Sequence, residues 1–180
     1  MIPNTHDSLV EHVRRAIRDI PDFPKPGIVF KDITPLLGDA DLFRDVVRAM
    51  ADPFRASGIT HVVAIESRGF LLGAPVAVEL GAAVVPVRKP GKLPATIAAV
   101  EYALEYGTDR LEIHTDACNA TARVLIVDDV LATGGTAAAA GELVRGRGAV
   151  LVGYSFLMSL TFLSGVRRLG DSTTHRLIDF

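Results

Sequence analysis

The sequence is poor in cysteine and contains no tryptophan: Cys118 is its one cysteine. A lone cysteine can form no intrachain disulfide, and it excludes a zinc site built from paired cysteines. This cysteine usage fits a reducing compartment, so we expect a cytoplasmic protein.

Long apolar runs and an excess of one charge are also missing. The longest strongly apolar stretch, 151–163, is shorter than the ~18 to 20 residues that a membrane-spanning helix needs. Charged side chains among the first twenty residues interrupt any signal-peptide core, so we expect no export signal. The 19 basic and 21 acidic side chains give a net charge of -2, which disfavours a broad basic surface. We therefore expect neither a membrane nor a nucleic-acid partner.

From residue 61 onward, short apolar runs alternate with helical stretches, a pattern typical of an α/β protein with a parallel sheet. A chain of 180 residues is long enough for one domain with a substantial core. Helices are predicted after Gly69 and from about Gly135 to Arg147, with a looser region at 88–116. The predicted strands are HVVAI (61–65), AVVPV (83–87), VLIVDD (124–129) and VLVGYSFLM (150–158), the last within a stretch that reads as buried strand to residue 163.

The first part of the chain predicts a different arrangement. A capping box at Ser8 and Glu11 starts a predicted amphipathic helix whose apolar residues continue to Ile20. A short extended piece (28–37) follows, and then a second helix that Pro53 kinks or ends. Because no linker is evident, we expect one domain, 1–180, in which residues 1–40 form a helix and a hood over one edge of the sheet.

The segment most informative about function is RVLIVDDVLATGGTAAAA (123–140), where a strand passes through small residues into a helix. Ligands of open α/β sheets bind beyond the carboxyl ends of the strands, and a helix N-terminus offers unpaired N–H groups to an anion. Gly134 and Gly135 let the backbone approach a phosphate, while Thr133 and Thr136 add hydroxyl donors. The GK[ST] and GxGxxG patterns are missing, so the segment predicts a monophosphate site of another kind.

Asp128 and Asp129 directly precede this turn. A pentose 5-phosphate bound at the helix would place its 2- and 3-hydroxyls near these two carboxylates, which can accept hydrogen bonds from a vicinal diol. The alternative interpretations are a solvated turn and a magnesium site like that of response regulators.

Two more polar segments follow predicted strands. ESRGF (66–70) should place Glu66, Ser67 and Arg68 at the same carboxyl edge; the alternative is a surface pair between Arg68 and Glu66. RKPGKLP (88–94) is rich in cations, and such a run is often a solvated loop. Beside a phosphate site, however, fixed cations would stabilise a departing pyrophosphate. The three cations of this segment are Arg88, Lys89 and Lys92.

These segments resemble a known family. VLIVDDVLATGGT (124–136) resembles the phosphoribosyl pyrophosphate (PRPP) signature of type I phosphoribosyltransferases. The resemblance implies their fold: a mainly parallel central sheet flanked by helices, with a small N-terminal hood and a flexible flap. Four other segments resemble the adenine branch of the family, namely PDFPKPGIVFKDITPLL (21–37), IESRGFLLGAPVA (65–77), VRKPGKLP (87–94) and EYGTDRLEIHTDA (105–117).

The resemblance also implies a set of PRPP-binding residues. Ser67 and Arg68 would contact the pyrophosphate from a strained loop for which a cis peptide is one option. Arg68, Asp128 and Asp129 would also be catalytic. No direct metal ligand is expected, because PRPP would carry the Mg²⁺ ion on its phosphates. The full implied set is Ser67, Arg68, Arg88, Lys89, Lys92, Asp128, Asp129, Ala132, Thr133, Gly134, Gly135 and Thr136.

For the base, the resemblance implies a flap at 105–117 that excludes water from an oxocarbenium-like transition state. The strand-like alternation of RLEIH (110–114) belongs to this flap. Glu105 would lie near the base, and we assign it as the acid/base for a purine ring proton. The implied adenine-binding residues are Phe30 through its ring, Val29 and Lys31 through their backbone groups, and Leu160 on the other side.

The reaction that this resemblance implies is purine salvage: PRPP and adenine give AMP and pyrophosphate, in a homodimer. Two positions depart from the family pattern, since many members have Arg at Lys31 and Glu at Ser159. One rival is a sibling enzyme that uses hypoxanthine or guanine, xanthine, or orotate. The other rival is a PRPP-sensing regulator without catalysis, for which the sequence offers no basic DNA-binding surface.

Overall fold

The computed structural model of the protein describes residues 5–103 and 107–180. The chain divides into two compact units, Met1–Ala49 and Met50–Phe180. The smaller unit contains all of the segment that the sequence predicts as an N-terminal appendage. Among the helices of the described ranges, none combines the length and the apolar character needed to cross a bilayer.

The smaller unit begins with a helix and a β-hairpin. The chain leaves the predicted helix before Ile20, which lies in a strand opposite Phe30, so the predicted helix is wrong at its end. β-branched residues favour strands, so Ile20 is more stable when paired in a strand than at the end of a helix. The prediction that Ser8 caps the helix is also wrong, because Thr5 is already helical. The elements are α1 (Thr5–Ala16), β1 (Arg18–Pro21), β2 (Val29–Asp32), α2 (Thr34–Leu37) and α3 (Ala40–Ala51), whose last residues belong to the larger unit.

The segment predicted as one extended piece is a strand followed by a helical turn. Pro35 lies in the first turn of α2, where its missing N–H has no helical partner to lose. The side chain of Asp32 accepts a 2.9 Å hydrogen bond from the backbone N–H of Thr34, which fixes the start of this turn. The second predicted helix is confirmed as α3, and Pro53 ends it as predicted, in a 3₁₀ helix over Asp52–Ser57.

A five-stranded parallel sheet is the centre of the larger unit, which confirms the predicted fold class. Its strand order is 4-3-7-8-9 in the numbering below, with every neighbouring pair parallel. The elements are β3 (His61–Ile65), α4 (Arg68–Leu80), β4 (Ala83–Val87), β5 (Ile97–Ala103), β6 (Thr108–His114), β7 (Arg123–Leu131), α5 (Gly135–Gly146), β8 (Val150–Ser159) and β9 (Thr173–Asp179).

The four predicted strands are confirmed as β3, β4, β7 and β8, although β8 ends at Ser159 and the chain turns into a 3₁₀ helix at Thr161–Leu163. β9 was not predicted because its sequence, TTHRLID, is largely polar. Among the described strands it pairs with β8 alone and forms an edge of the sheet, and edge strands tolerate such residues.

The region predicted to be loose after β4 contains an antiparallel hairpin of β5 and β6. Leu111 and Ile113 of β6 are fully buried in the same hydrophobic core as strands β3 and β7. Backbone hydrogen bonds of 2.9 and 2.8 Å join Arg88 and Glu112, and they attach the hairpin to the chain just after β4.

Close packing of α4 on the sheet brings polar segments to its carboxyl edge. A Cβ atom on Gly73 would lie 2.6 Å from the Cβ of Ala64, so glycine lets the helix approach β3 closely. Arg68, the first residue of α4, lies three residues after the end of β3, and its side chain contacts Asp129 near the end of β7.

Candidate active site

A cleft of about 290 Å³ opens where strands β3 and β7 end and helices α4 and α5 begin. Of the predicted PRPP-binding residues, only Arg88, Lys92 and Gly135 are not in its lining. The three segments that the sequence singles out therefore converge. The lining residues are Glu66, Ser67, Arg68, Lys89, Asp128, Asp129, Val130, Leu131, Ala132, Thr133, Gly134, Thr136 and Ala137.

The turn between β7 and α5 has the features of a phosphate site. Gly134 has a φ of 80°, in the left-handed region that favours glycine. A Cβ atom there would also lie 2.3 Å from the carbonyl oxygen of Gly165. The next residue, Gly135, begins α5, whose first N–H groups have no partners within the helix. The N-terminus of this 12-residue helix therefore offers backbone donors and the positive end of its dipole to an anion in the cleft.

Asp128 and Asp129 form an acidic pair in the wall of the cleft. Asp129 is only 3% exposed, and its N–H donates a 2.9 Å hydrogen bond to Oδ1 of Asp128. Burial, and then the charge of Asp129, raise the pKa of Asp128 well above its usual range. Burial also raises the pKa of Asp129, although the guanidinium of Arg68 opposes this. The pair is therefore not a solvated turn, and hydroxyl donors of a bound sugar would stabilise its ionised form.

Arg68 connects the two walls of the cleft. Its Nε atom lies 2.9 Å from Oδ2 of Asp129. Arg68 thus pairs with a buried acid at the end of β7, and the interpretation that it only pairs with Glu66 at the surface is wrong. The peptide bond between Glu66 and Ser67, one residue before Arg68, is cis. A cis peptide in this loop is one of the options that the family resemblance implies.

Glu66 holds the cations of the segment after β4. Its carboxylate lies 2.5 Å from Nζ of Lys92 and 3.3 Å from Nε of Arg88, and it accepts a 3.0 Å hydrogen bond from the backbone N–H of Lys89. Burial would raise the pKa of Glu66, but the hydrogen bonds from Lys92, Lys89 and Arg88 lower it to about 2. The segment is therefore not the solvated loop of the alternative interpretation but a cation cluster fixed on an ionised carboxylate at the cleft.

Lys89 is the cation of this segment that lines the cleft. Its ammonium group pairs with Asp109 of β6 and lies 3.2 Å from the hydroxyl of Tyr102 in β5. Burial would lower the pKa of Lys89, but the hydrogen bonds with Asp109 and Tyr102 raise it above its usual value. Lys89 therefore stays protonated at neutral pH and can face an anion.

The structure locates four of the predicted base-binding residues, in two places. Leu160 follows β8, and its N–H donates a 2.9 Å hydrogen bond to the carbonyl of Leu131, which lines the cleft. Glu105 lies outside the described residues. The other three, Val29, Phe30 and Lys31, are consecutive in β2 of the smaller unit, and their role in binding a base stays a prediction.

Two contributions to this site were not predicted. The sequence places Glu66 at the edge of the sheet but does not show that it holds three polar groups of another segment. Gly165 packs against the phosphate turn: a Cβ atom there would lie 2.0 Å from the carbonyl oxygen of Ala132 and 2.9 Å from the nitrogen of Gly134. The signal available was a glycine six residues after the end of β8, and a single glycine is too common to indicate a contact.

The described part of the chain contains no group of three or more His, Cys, Asp or Glu side chains that could hold a metal ion. Of the three carboxylates that line the cleft, Asp129 pairs with Arg68, Glu66 pairs with Lys92, and Asp128 accepts a hydrogen bond from the N–H of Asp129.

Comparison with known proteins agrees with this geometry. Residues 37–159 match the phosphoribosyl transferase domain family. The adenine phosphoribosyltransferase of Acaryochloris marina is 56% identical over 168 residues, which cover 93% of this chain and 99% of the relative.

Solved structures give the same result. The adenine phosphoribosyltransferase of Rhodothermus marinus has 50% identity and a TM-score of 0.93, with 97% of this chain and 99% of that chain covered. The Saccharomyces cerevisiae enzyme, crystallised with an imino-altritol bisphosphate and adenine, has 41% identity and a TM-score of 0.89, with 95% and 99% covered. The chain belongs to the adenine phosphoribosyltransferases, a branch of the type I phosphoribosyltransferase family.

Proposed function

We propose that the protein transfers the 5-phosphoribosyl group of PRPP to adenine and releases AMP and pyrophosphate. One observation carries this proposal: a single cleft brings together a helix N-terminus, a buried acid pair and fixed cations. These three features correspond to the three polar parts of PRPP, which are the 5-phosphate, the vicinal diol and the pyrophosphate.

Each part of the donor has a chemically matched partner. The 5-phosphate would bind the backbone N–H groups at the start of α5 and the hydroxyls of Thr133 and Thr136. The 2- and 3-hydroxyls would donate to Asp128 and Asp129. The pyrophosphate would lie against Ser67, Arg68 and Lys89, with Arg88 and Lys92 held nearby on Glu66.

In the proposed reaction, the bond between the anomeric carbon and the pyrophosphate oxygen breaks as a ring nitrogen of adenine bonds to that carbon, with inversion. Negative charge grows on the leaving pyrophosphate, where preorganised cations stabilise it. Positive charge grows on the ribose, where the ionised aspartates would stabilise it. Glu105 would accept the proton that leaves the ring nitrogen.

For the base, we propose Phe30, Leu160 and the backbone groups of Val29 and Lys31 as the adenine-binding residues. The adenine bound to the Saccharomyces cerevisiae relative supports this choice of base. An aromatic ring and a few placed hydrogen bonds are sufficient to bind a small planar molecule.

Magnesium would enter with the donor. The ion neutralises part of the pyrophosphate charge when it is bound, and its ligands would be mainly phosphate oxygens. From the sequence and the family resemblance, we also propose a homodimer, a cytoplasmic location, and a single functional domain that includes both compact units.

The test is release of pyrophosphate from PRPP in the presence of single bases, with and without magnesium. We expect release that depends on adenine and on magnesium, with AMP as the second product. Turnover with orotate, hypoxanthine, guanine or xanthine but not with adenine would replace the proposed base. No turnover with any base, together with salt-sensitive DNA binding, would favour the regulator.

A further inference from the structure

Two side chains of the β5–β6 hairpin contact two phosphate-binding groups of the cleft. The hydroxyl of Tyr102 accepts a 3.2 Å hydrogen bond from Thr136 and another of 3.2 Å from Nζ of Lys89. The same hydroxyl donates a 3.1 Å hydrogen bond to Asp109, which also pairs with Lys89. One hairpin hydroxyl thus connects the segment after β4 to the first turn of α5.

These contacts are more than a loose surface pair. The side chains of Lys89 and Asp109 are only 35% and 26% exposed, so solvent screens their attraction less than on an open surface. Tyr102 and Asp109 are directly opposed in the hairpin register, so the backbone holds both acceptors in place. The ammonium group also lies 5.7 Å from the centre of the Tyr102 ring, within the range of a cation–π interaction.

Lys89 and Thr136 both line the cleft, where their donor groups would face the phosphates of PRPP. A hydroxyl proton can serve only one acceptor well, and Lys89 cannot pair fully with Asp109 and with pyrophosphate at the same time. The hairpin acceptors and the phosphates of the donor therefore compete for the same hydrogen-bond donors.

We infer that Asp109 and Tyr102 are positioning residues that hold Lys89 and Thr136 until the donor binds, and that PRPP binds by displacing these hairpin contacts. The inference rests on the proposed function, because it takes Lys89 and Thr136 as PRPP-binding groups. Binding of the donor thereby breaks the contacts of Tyr102 and Asp109 with the cleft, while the backbone bonds between Arg88 and Glu112 keep the hairpin attached. Breaking these contacts costs free energy, so the protein binds PRPP more weakly than it would without them.

The test measures KM for PRPP and kcat at saturating adenine. Asp109→Asn removes the charged competitor but keeps the size of the side chain, so KM for PRPP should fall about threefold to tenfold, the usual range for coupled neighbours. Tyr102→Phe removes the bridging hydroxyl and should lower KM by a smaller factor. In both variants kcat should change less than KM, a split that general loosening of the fold would not produce.

Two controls separate this effect from a general change of charge. Glu101→Gln removes an exposed carboxylate from the same strand as Tyr102 and should leave KM for PRPP within about twofold. In a Lys89→Met background, Asp109→Asn should lose its effect on KM, because its partner is gone.

An unchanged or raised KM for PRPP in Asp109→Asn would overturn the inference, and so would an equal fall of KM in Glu101→Gln. If Asp109→Asn fails to fold, Tyr102→Phe decides by the same criterion. These failures differ from failure of the proposed function, which would appear as absence of AMP formation by the unaltered protein.

Discussion

The guanidinium of Arg68 and the carboxylate of Asp129 lie 2.9 Å apart and join the first residue of α4 to the end of β7. Asp129 is almost completely buried, so this cation largely determines whether its carboxylate can stay ionised. The same guanidinium lines the cleft where pyrophosphate is proposed to lie. One side chain thus serves the sugar acceptor and the leaving group.

Replacing Arg68 should therefore affect both parts of the donor site. In Arg68→Gln, kcat/KM for PRPP should fall on the order of a hundredfold, ~2.8 kcal/mol, because a buried charge loses its partner and pyrophosphate loses a cation. Arg68→Lys should restore part of the loss. Arg44→Gln, which removes an exposed pair with Asp41, is the matched control and should change kcat/KM little. Wild-type kinetics in Arg68→Gln would contradict its placement at the donor site.

The raised pKa of Asp128 predicts a conflict between stability and activity. At a pH below the usual range of aspartate, Asp128 is protonated in both the folded and the unfolded state. As the pH rises, the unfolded state loses this proton first, which favours unfolding. Asp128→Asn removes this effect, so at pH 7.5 it should increase the free energy of unfolding by on the order of 1 kcal/mol while impairing turnover.

Urea unfolding of both proteins at several pH values checks this prediction. The stability gain of Asp128→Asn should be largest at neutral pH and should shrink as the pH falls towards 4, a value near the unperturbed aspartate pKa of ~3.9. A gain that grows with acidity would contradict the sign of the shift.

Much of the cleft could be predicted from the sequence because its groups follow strands directly. The carboxyl ends of parallel strands meet at one edge, so Arg68, Lys89 and Asp129 had to lie near each other once β3, β4 and β7 were recognised. The choice of partners could not be predicted. Arg68 pairs across the sheet with Asp129, while the nearby Glu66 pairs with cations 22 and 26 residues away.

The errors in the fold have similar causes. β5 has a strand pattern, IAAVEYA, of small and polar residues that does not separate it from loop, and only its pairing with β6 defines it. Ile20 fitted the helical period, but the contact that places it in a strand is with β2. In both cases the local sequence favours two structures about equally, and pairing with a strand elsewhere in the chain determines which one forms.

The low pKa of Glu66 predicts that the free energy of unfolding falls at acidic pH. Its pKa of about 2 in the folded protein, against 4.5 for a free side chain, stabilises the fold at neutral pH, and this contribution is lost as the pH falls from about 4.5 through 2. Glu66→Gln should remove this contribution and leave the cations of Arg88 and Lys92 uncompensated. Compared with the unaltered protein, Glu66→Gln should show its largest loss of unfolding free energy above pH 5 and a smaller loss at pH 3.

Asp116→Asn provides the control for Glu66→Gln, because it removes an exposed carboxylate from the same unit. It should change the free energy of unfolding by no more than about 0.5 kcal/mol. A deficit of Glu66→Gln that does not depend on pH would indicate lost packing and not a lost charge.

Glu105→Gln tests the proposed proton acceptor. The amide keeps the shape of the side chain but cannot take a ring proton, so kcat should fall about 100-fold to 10,000-fold, while affinity for PRPP stays nearly the same. Glu101→Gln, four residues earlier, should keep both values. Equal losses of turnover and donor affinity in Glu105→Gln would count against the acid/base role.

Gly165 supports the phosphate turn from behind, and its replacement should weaken PRPP binding without touching any group of the donor. In Gly165→Ala, the new methyl group would lie 2.0 Å from the carbonyl oxygen of Ala132 and 2.9 Å from the nitrogen of Gly134, so the backbone of the turn must shift. Overpacking of this kind costs about 1 to 3 kcal/mol, and KM for PRPP should rise about tenfold.

Gly146→Ala is the matched control for this change, because the added Cβ meets nothing within 4 Å at the end of α5. Alanine favours a helix over glycine by roughly 0.5 to 1 kcal/mol, so Gly146→Ala should keep KM and raise the melting temperature slightly. If Gly165→Ala and Gly146→Ala have the same KM for PRPP, the turn tolerates the displacement, and the phosphate is not held by the backbone of 132–136.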